Sequence, residues 1–212
     1  LVLITSQYPF GTGESFIAPE MPFLLSNFDK TIIISQNTSS SVARNINGNA
    51  EIYRYNTATS FKGFLSLPYL FILNSSEIIE MLKGEIDFRL QLKDKLTIGR
   101  FIYLFKKIIK AFQLRNFIIS KLAENKINGS IVFYSYWFKT GAHAISLLKY
   151  PNSIKIARAH GSDIYEEKTE KGYLPLLKFT ATKLDSVFFI SRQEKKYIEE
   201  KTKSDGTRFM VS

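Results

Sequence analysis

Short, continuous apolar runs recur along this chain, separated by stretches in which apolar residues return every three or four positions. Residues 1–6, 31–35, 51–55, 131–136, 153–159, 186–190 and 208–211 have the β-branched, uninterrupted apolar make-up of buried strands. Residues 14–28, 140–149, 174–184 and 193–201 carry helical spacing instead. Apolar strands alternating with helices predict a parallel sheet covered on both faces. The expected fold class is therefore α/β, a Rossmann-like doubly wound parallel sheet in one domain over 1–212. The Asn- and Ser-rich stretch 39–49 reads as a loop. Over about 61–128 the alternation lapses into a mainly helical insertion of about three helices, closed by the turn signal Asn128-Gly129.

Composition narrows the chemistry. Cysteine is absent, which removes thiol nucleophiles, Cys-ligated zinc and iron–sulfur clusters. No His-Glu-x-x-His or Asp-x-Asp occurs, so no metal site is expected, and Gly-x-Ser-x-Gly, the mark of a serine hydrolase, is missing. No uncharged apolar run reaches the roughly 18 residues of a spanning helix. Against this ordinary background, 29 Lys plus Arg over 19 Asp plus Glu gives a net charge of +10. Such a surplus attracts nucleic acid, anionic lipid or a phosphorylated ligand. The cations are spread along the chain with no RNA-binding aromatic signature, which argues against nucleic acid.

The one concentration of charge lies in 98–122, where Arg100, Lys106, Lys107, Lys110, Arg115 and Lys121 share about half of a helical wheel. Phe101, Ile102, Phe105, Ile108, Ile109 and Phe112 take the other half. Such a helix either lies on an anionic membrane, with Arg100, Lys106, Lys107 and Lys110 facing the headgroups, or packs its apolar face on the core. It cannot bury one face in both places.

Candidate site residues gather at strand ends. After the first strand, Gly11, Gly13 and Glu14 form a glycine-bearing loop whose backbone N–H groups either face an anionic ligand or simply make a tight turn. After the fifth strand comes Arg158-Ala159-His160-Gly161-Ser162-Asp163. Here His160 is either a ligand-facing group or one that satisfies a backbone carbonyl while Asp163 caps a helix. His143, within a helical segment, reads as structural. Tyr136 and Trp137 end the fourth strand and Ser191 the sixth, so all four clusters fall on one edge of the sheet.

In order, Tyr8-Pro9-Phe10-Gly11-Thr12-Gly13-Glu14-Ser15-Phe16, Tyr134-Ser135-Tyr136-Trp137, Arg158 to Tyr165, Tyr173-Leu174-Pro175-Leu176 and Phe188-Phe189-Ile190-Ser191 resemble the N-terminal half of the retaining family 4 (group 1) glycosyltransferases of GT-B fold. The resemblance spans nearly the whole chain. It implies a domain that holds a glycan or lipid-linked acceptor, while a second, C-terminal domain expected outside these 212 residues binds most of the nucleotide-sugar donor. The fragment alone is then expected to be inactive. The resemblance also implies that Gly11, Gly13 and Glu14 approach the donor phosphates. It places His160 beside the transferred sugar and gives the shaping of its loop to Arg158, Gly161 and Asp163. No cofactor or metal is implied. The setting implied is bacterial surface polysaccharide synthesis in the cytoplasm, at the inner face of the membrane. Arg192 stands where many relatives carry an acid, which leaves the role of Ser191 apart from the rest. The alternative is a non-enzymatic α/β module that binds a phosphorylated or polyanionic ligand at the same edge.

Overall fold

The computed structural model describes residues 1–36, 43–56, 67–169, 171–204 and 208–212, with the backbone alone at 67–71. Its strands are β1 (Val2–Thr5), β2 (Thr31–Ser35), β3 (Ala50–Arg54), β4 (Ile131–Ser135), β5 (Ser153–Ala159), β6 (Ser186–Phe189) and β7 (Phe209–Val211). All pair in parallel, in the order β3-β2-β1-β4-β5-β6-β7. This is an open, Rossmann-like α/β fold, and each strand falls where the apolar runs place it. Sequence order reverses between β1 and β4, where Val2 pairs with Phe133 and Ile4 with Ser135. In open α/β sheets the crevice beyond the carboxyl ends of two such strands is where ligands bind.

β1 and β2 are buried along their whole length because both faces are covered, whereas β3, at the sheet's edge, and β5 carry Glu51, Arg54, Lys155 and Arg158. Along β1 and β2, Val2, Ile4, Ile32 and Ile34 enter one core cluster, while Leu1, Leu3 and Ile33 enter another, following the strand period of two. The helices are α1 (Met21–Asn27), α2 (Leu67–Gln91), α3 (Ile98–Glu124), α4 (Thr140–Ser146), α5 (Gly161–Ile164), α6 (Leu177–Lys183) and α7 (Arg192–Thr202).

Two helical expectations are corrected. The segment 14–28 is a 3-10 turn, Ser15–Ile17, followed by α1. Pro19 lacks an N–H and cannot extend the hydrogen-bond ladder of the 3-10 turn, so the helix starts afresh at Met21 with Pro22 in its first turn. The segment 174–184 becomes helical only from Leu177, because Leu176 is left-handed at φ 62°. The insertion, whose residues 61–66 lie outside the described ones, holds two long helices among the described residues. The first is kinked at Asn74 (φ −127°, ψ 24°), whose side-chain oxygen accepts from Arg115 at 2.8 Å. Within the expected loop 39–49, residues 39–42 lie outside the described ones and 44–49 are irregular.

The basic helix buries a stripe displaced from the expected one: of the expected apolar half only Ile108 and Phe112 are buried, while Phe101 and Ile102 are exposed. Leu104, Ile108, Ala111, Phe112, Leu114, Ile118 and Leu122 of α3 are buried, against α4 and under the sheet. Thr97 caps it, accepting from the Arg100 backbone N–H at 3.3 Å. Among the described residues, no helix is long and apolar enough to cross a membrane.

Candidate functional site

The loop after β1 is organised around Glu14, which sits in the left-handed region at φ 55° with its side chain turned inward. Its carboxylate accepts from the backbone N–H groups of Ser6 (2.9 Å), Gln7 (2.5 Å) and Tyr8 (2.5 Å), and from the Trp137 indole N–H. A buried carboxylate must be met by donors, and these four meet it. The amides at the end of β1, which the sequence offers to an external anion, therefore hold an internal one. Nor does a helix N-terminus face that position, since α1 begins at Met21. Gly11, at φ 69°, makes the turn that only glycine adopts without strain. Arg44 donates to the carbonyls of Thr12 and Gly13 at 2.8 and 2.9 Å, drawing that part of the loop toward the segment before β3.

Trp137, held by Glu14, stands in an aromatic cluster at the β1/β4 crevice. Its ring centroid lies 4.5 Å from His160 and 6.0 Å from Phe16. Tyr136 stacks on Phe16 (5.6 Å, 24°) and on His160 (5.8 Å, 26°). Phe16 remains 48% exposed, so the cluster opens to solvent. Beneath it Arg158 pairs with Glu20 and donates to the Tyr136 hydroxyl at 2.6 Å, while that hydroxyl donates to Glu20 at 3.2 Å. Burial raises the Tyr136 phenol to about 12, with Arg158 pulling down and Glu20 pushing up, so it stays a neutral donor.

His160 precedes α5, whose carboxylate Asp163 is fully buried and accepts from Phe138 N (3.1 Å), Ser162 Oγ (3.0 Å) and Lys139 Nζ (2.9 Å). Burial pushes the Asp163 carboxyl up, but His160, Lys139 and the Phe138 N–H outweigh it and hold the group below the usual carboxylate range. Asp163 Oδ2 lies 3.7 Å from His160 Nδ1, an electrostatic contact beyond hydrogen-bond length. His160 Nδ1, Arg158 Nε and Glu194 Oε2 are buried polar atoms that find no partner within the protein. All three lie at the carboxyl ends of β5 and β6, and unpaired polar atoms in a cleft mark where a ligand's polar groups can bind. Gly161 is pressed among its neighbours, since a Cβ there would meet Glu194 Oε1 and Lys168 Nζ at 3.4 Å.

No family model matches this chain, and neither does any curated protein sequence.

The structure thus brings Tyr136, Trp137, Arg158, His160, Gly161 and Asp163 together, with Glu14 as the internal tie. Ser191 caps α7 by accepting from the Glu194 N–H at 3.2 Å, so it reaches the His160 loop only through that helix. Phe16, Glu20 and Glu194 were not singled out by sequence. Only Phe16 carried a signal, as the last residue of the loop motif. His143 is buried, its Nδ1 2.7 Å from Thr180 Oγ1. Among the described residues no group of three acidic or histidine side chains is placed to hold a metal.

The four lysine and arginine positions expected to face a membrane lie on one side of α3 but are not all left free there. Arg100 is tied to Asp94 (2.7 Å) and to the Gly172 carbonyl (2.8 Å). Lys107 turns into a cavity beside α4, whereas Lys106 is exposed and Lys110 half-buried. A second network, invisible from spacing, clamps the loop beyond α5 to the insertion. Buried Arg89 pairs with Glu85 (2.7 Å) and Glu166 (2.6 Å) and donates to the Leu174 carbonyl (2.7 Å). Glu85 in turn accepts from the Tyr173 hydroxyl (3.0 Å) and the Leu176 N–H (2.9 Å).

Proposed function

We propose that this chain is the acceptor-side domain of a retaining GT-B glycosyltransferase, which moves a sugar from a nucleotide-activated donor to a saccharide or lipid-linked acceptor in bacterial surface polysaccharide assembly. The observation that supports this reading is the aromatic cluster at the sheet's switch point, where Phe16 is exposed and Trp137 and His160 are partly exposed over the buried Tyr136, with unpaired polar atoms at the neighbouring ends of β5 and β6. A sugar offers C–H faces and hydroxyl edges, so flat ring faces bordered by unpaired donors and acceptors match it. The resemblance of the ordered motifs supports the same class.

In this reading the domain works by positioning and electrostatics. A glycosyl group leaving a diphosphate develops positive charge at its ring, and the electron-rich face of partly exposed Trp137 stabilises such charge. His160 turns Nδ1 inward to Asp163, which leaves Nε2 as the nitrogen to meet the transferred sugar, and it is not a nucleophile. Asp163, anchored by Phe138 N and Lys139, positions the imidazole through the 3.7 Å contact. Glu14 holds Trp137 in place.

Two measurements test the proposal. In the protein that carries this chain, offered a panel of nucleotide sugars, His160→Ala is expected to lower kcat roughly 10²-fold, as loss of a transition-state contact does. An unchanged kcat would remove His160 from the chemistry. Trp137 is the only tryptophan, so its emission should change saturably when a cognate saccharide binds. A panel of saccharides that leaves the emission untouched would overturn the aromatic binding site.

A further inference from the structure

A cavity of about 350 Å³ is lined by Ser162 and Asp163 of α5 and lies between α3, α4 and the loop leading into α6, with Lys139 on its lining 5.3 Å from the Trp137 ring centroid. Three lysines reach it from separate elements: Lys107 from α3, Lys139 from the turn before α4, and Lys168 from the loop after α5. The carboxylate on its lining is Asp163, which is paired with Lys139 at 2.9 Å. Lys107 and Lys168 have no carboxylate partner; their ammonium groups lie 5.2 Å from the Tyr103 ring centroid and 4.7 Å from that of Tyr165. Burial, reinforced by Lys139, holds the Lys107 ammonium below the usual lysine range, the direction expected of a cation lacking its counter-ion. The remaining wall is apolar, with Phe138, Leu174 and Pro175.

Lys139 and Lys168 are exposed at the mouth of the cavity, and Lys107 is half-buried. Here the lysines of three elements converge, and the loop bearing Lys168 is pinned by the Arg89 network, with Glu166 gripped by both Arg89 (2.6 Å) and Lys201 (2.7 Å). Among the described residues, three ammonium groups against one carboxylate leave a charge of +2 on the lining. A phosphoryl group carries about −1.5 to −2 near neutral pH. We infer that this cavity is a binding site for the phosphate or diphosphate end of an organic ester, with Lys107 and Lys168 as its cationic ligands and Lys139 shared between the ester and Asp163. The apolar wall takes the organic part. Because Asp163 also faces His160, an occupied cavity draws Lys139 from the aspartate and strengthens the aspartate's hold on the imidazole.

The inference does not depend on the transferase reading, since it is read by binding and that reading by turnover. Inorganic pyrophosphate titrated calorimetrically into the 212-residue chain should bind saturably at one site. Lys107→Met and Lys168→Met should each weaken it about tenfold or more, the worth of one charged hydrogen bond. Lys106→Met, one residue along and exposed, should leave it unchanged and so controls for attraction to the net charge. Geranyl diphosphate and uridine diphosphate form two further arms. Tighter binding of the former identifies a lipid carrier and of the latter a nucleotide, and either supports the site. Methionine keeps the lysine stem, and melting of each variant checks the fold. If Lys107→Met does not fold, Lys168→Met alone decides. Absence of saturable pyrophosphate binding, or equal weakening by Lys106→Met, overturns the inference.

Discussion

At Glu14 a single carboxylate accepts from three consecutive backbone amides and from an indole, in a loop that glycine content alone would assign to an outside anion. Those amides belong to Ser6, Gln7 and Tyr8, ahead of the two glycines, and the anion they hold is the protein's own. His143 shows the opposite balance. Burial, with Lys107 nearby, lowers its imidazole from 6.5 to about 3. The unfolded chain therefore binds a proton that the folded chain refuses between pH 6.5 and about 3. Stability from this residue is complete above the upper value and is lost as the pH falls through that window. The slope inside it is about 1.4 kcal/mol per pH unit. His143→Gln, which can still bond Thr180, should lose less stability than the native chain between neutral and mildly acidic pH, as measured by urea unfolding. The same acid loss in both would show that His143 is not the group that titrates.

Among the elements, α2 and α3 do more than cover the sheet. Arg89 from α2 and Arg100 from α3 hold the loop that follows α5, through Glu166, the Leu174 carbonyl and the Gly172 carbonyl. That loop carries Lys168 and borders the cavity, so the insertion sets the shape of a site to which it contributes few side chains. Removing one member of a buried ionic network strands its partners. Arg89→Met should cost about 3–5 kcal/mol in denaturant unfolding. Lys106→Met, on an exposed face, should stay within about 0.5 kcal/mol of the native chain. A small effect at Arg89 would mean that the loop is held by its own packing. The basic periodicity of α3 was legible as a pattern, but its meaning was not. Arg100 and Arg115 are spent on Asp94 and Glu77, carboxylates contributed by residues outside that helix.

At the scale of the whole molecule, insertion and sheet share one core. Phe88 of α2 and Leu114, Ile118 and Leu122 of α3 belong to the same buried cluster as Val2, Ile4, Phe133 and Phe189. Heating should therefore produce one transition, with far-ultraviolet circular dichroism and Trp137 emission changing together. Two separated transitions would show that the insertion unfolds by itself. The alternation of apolar runs and helical spacing determined the parallel α/β sheet, because strands buried on both faces cannot tolerate polar residues and must read as continuous apolar runs. It also placed Tyr136, Trp137, Arg158, His160 and Asp163 at strand ends on one edge, since that edge follows from strand direction alone. Strand order, and with it the switch point between β1 and β4, was set only by tertiary structure. So were the pairing of Glu14 with the β1 amides and the Arg158–Glu20–Tyr136 cluster. The convergence of Lys107, Lys139 and Lys168 on one cavity belongs with them. These contacts join residues far apart in the chain, and periodicity records which face a side chain takes but not which distant partner meets it there.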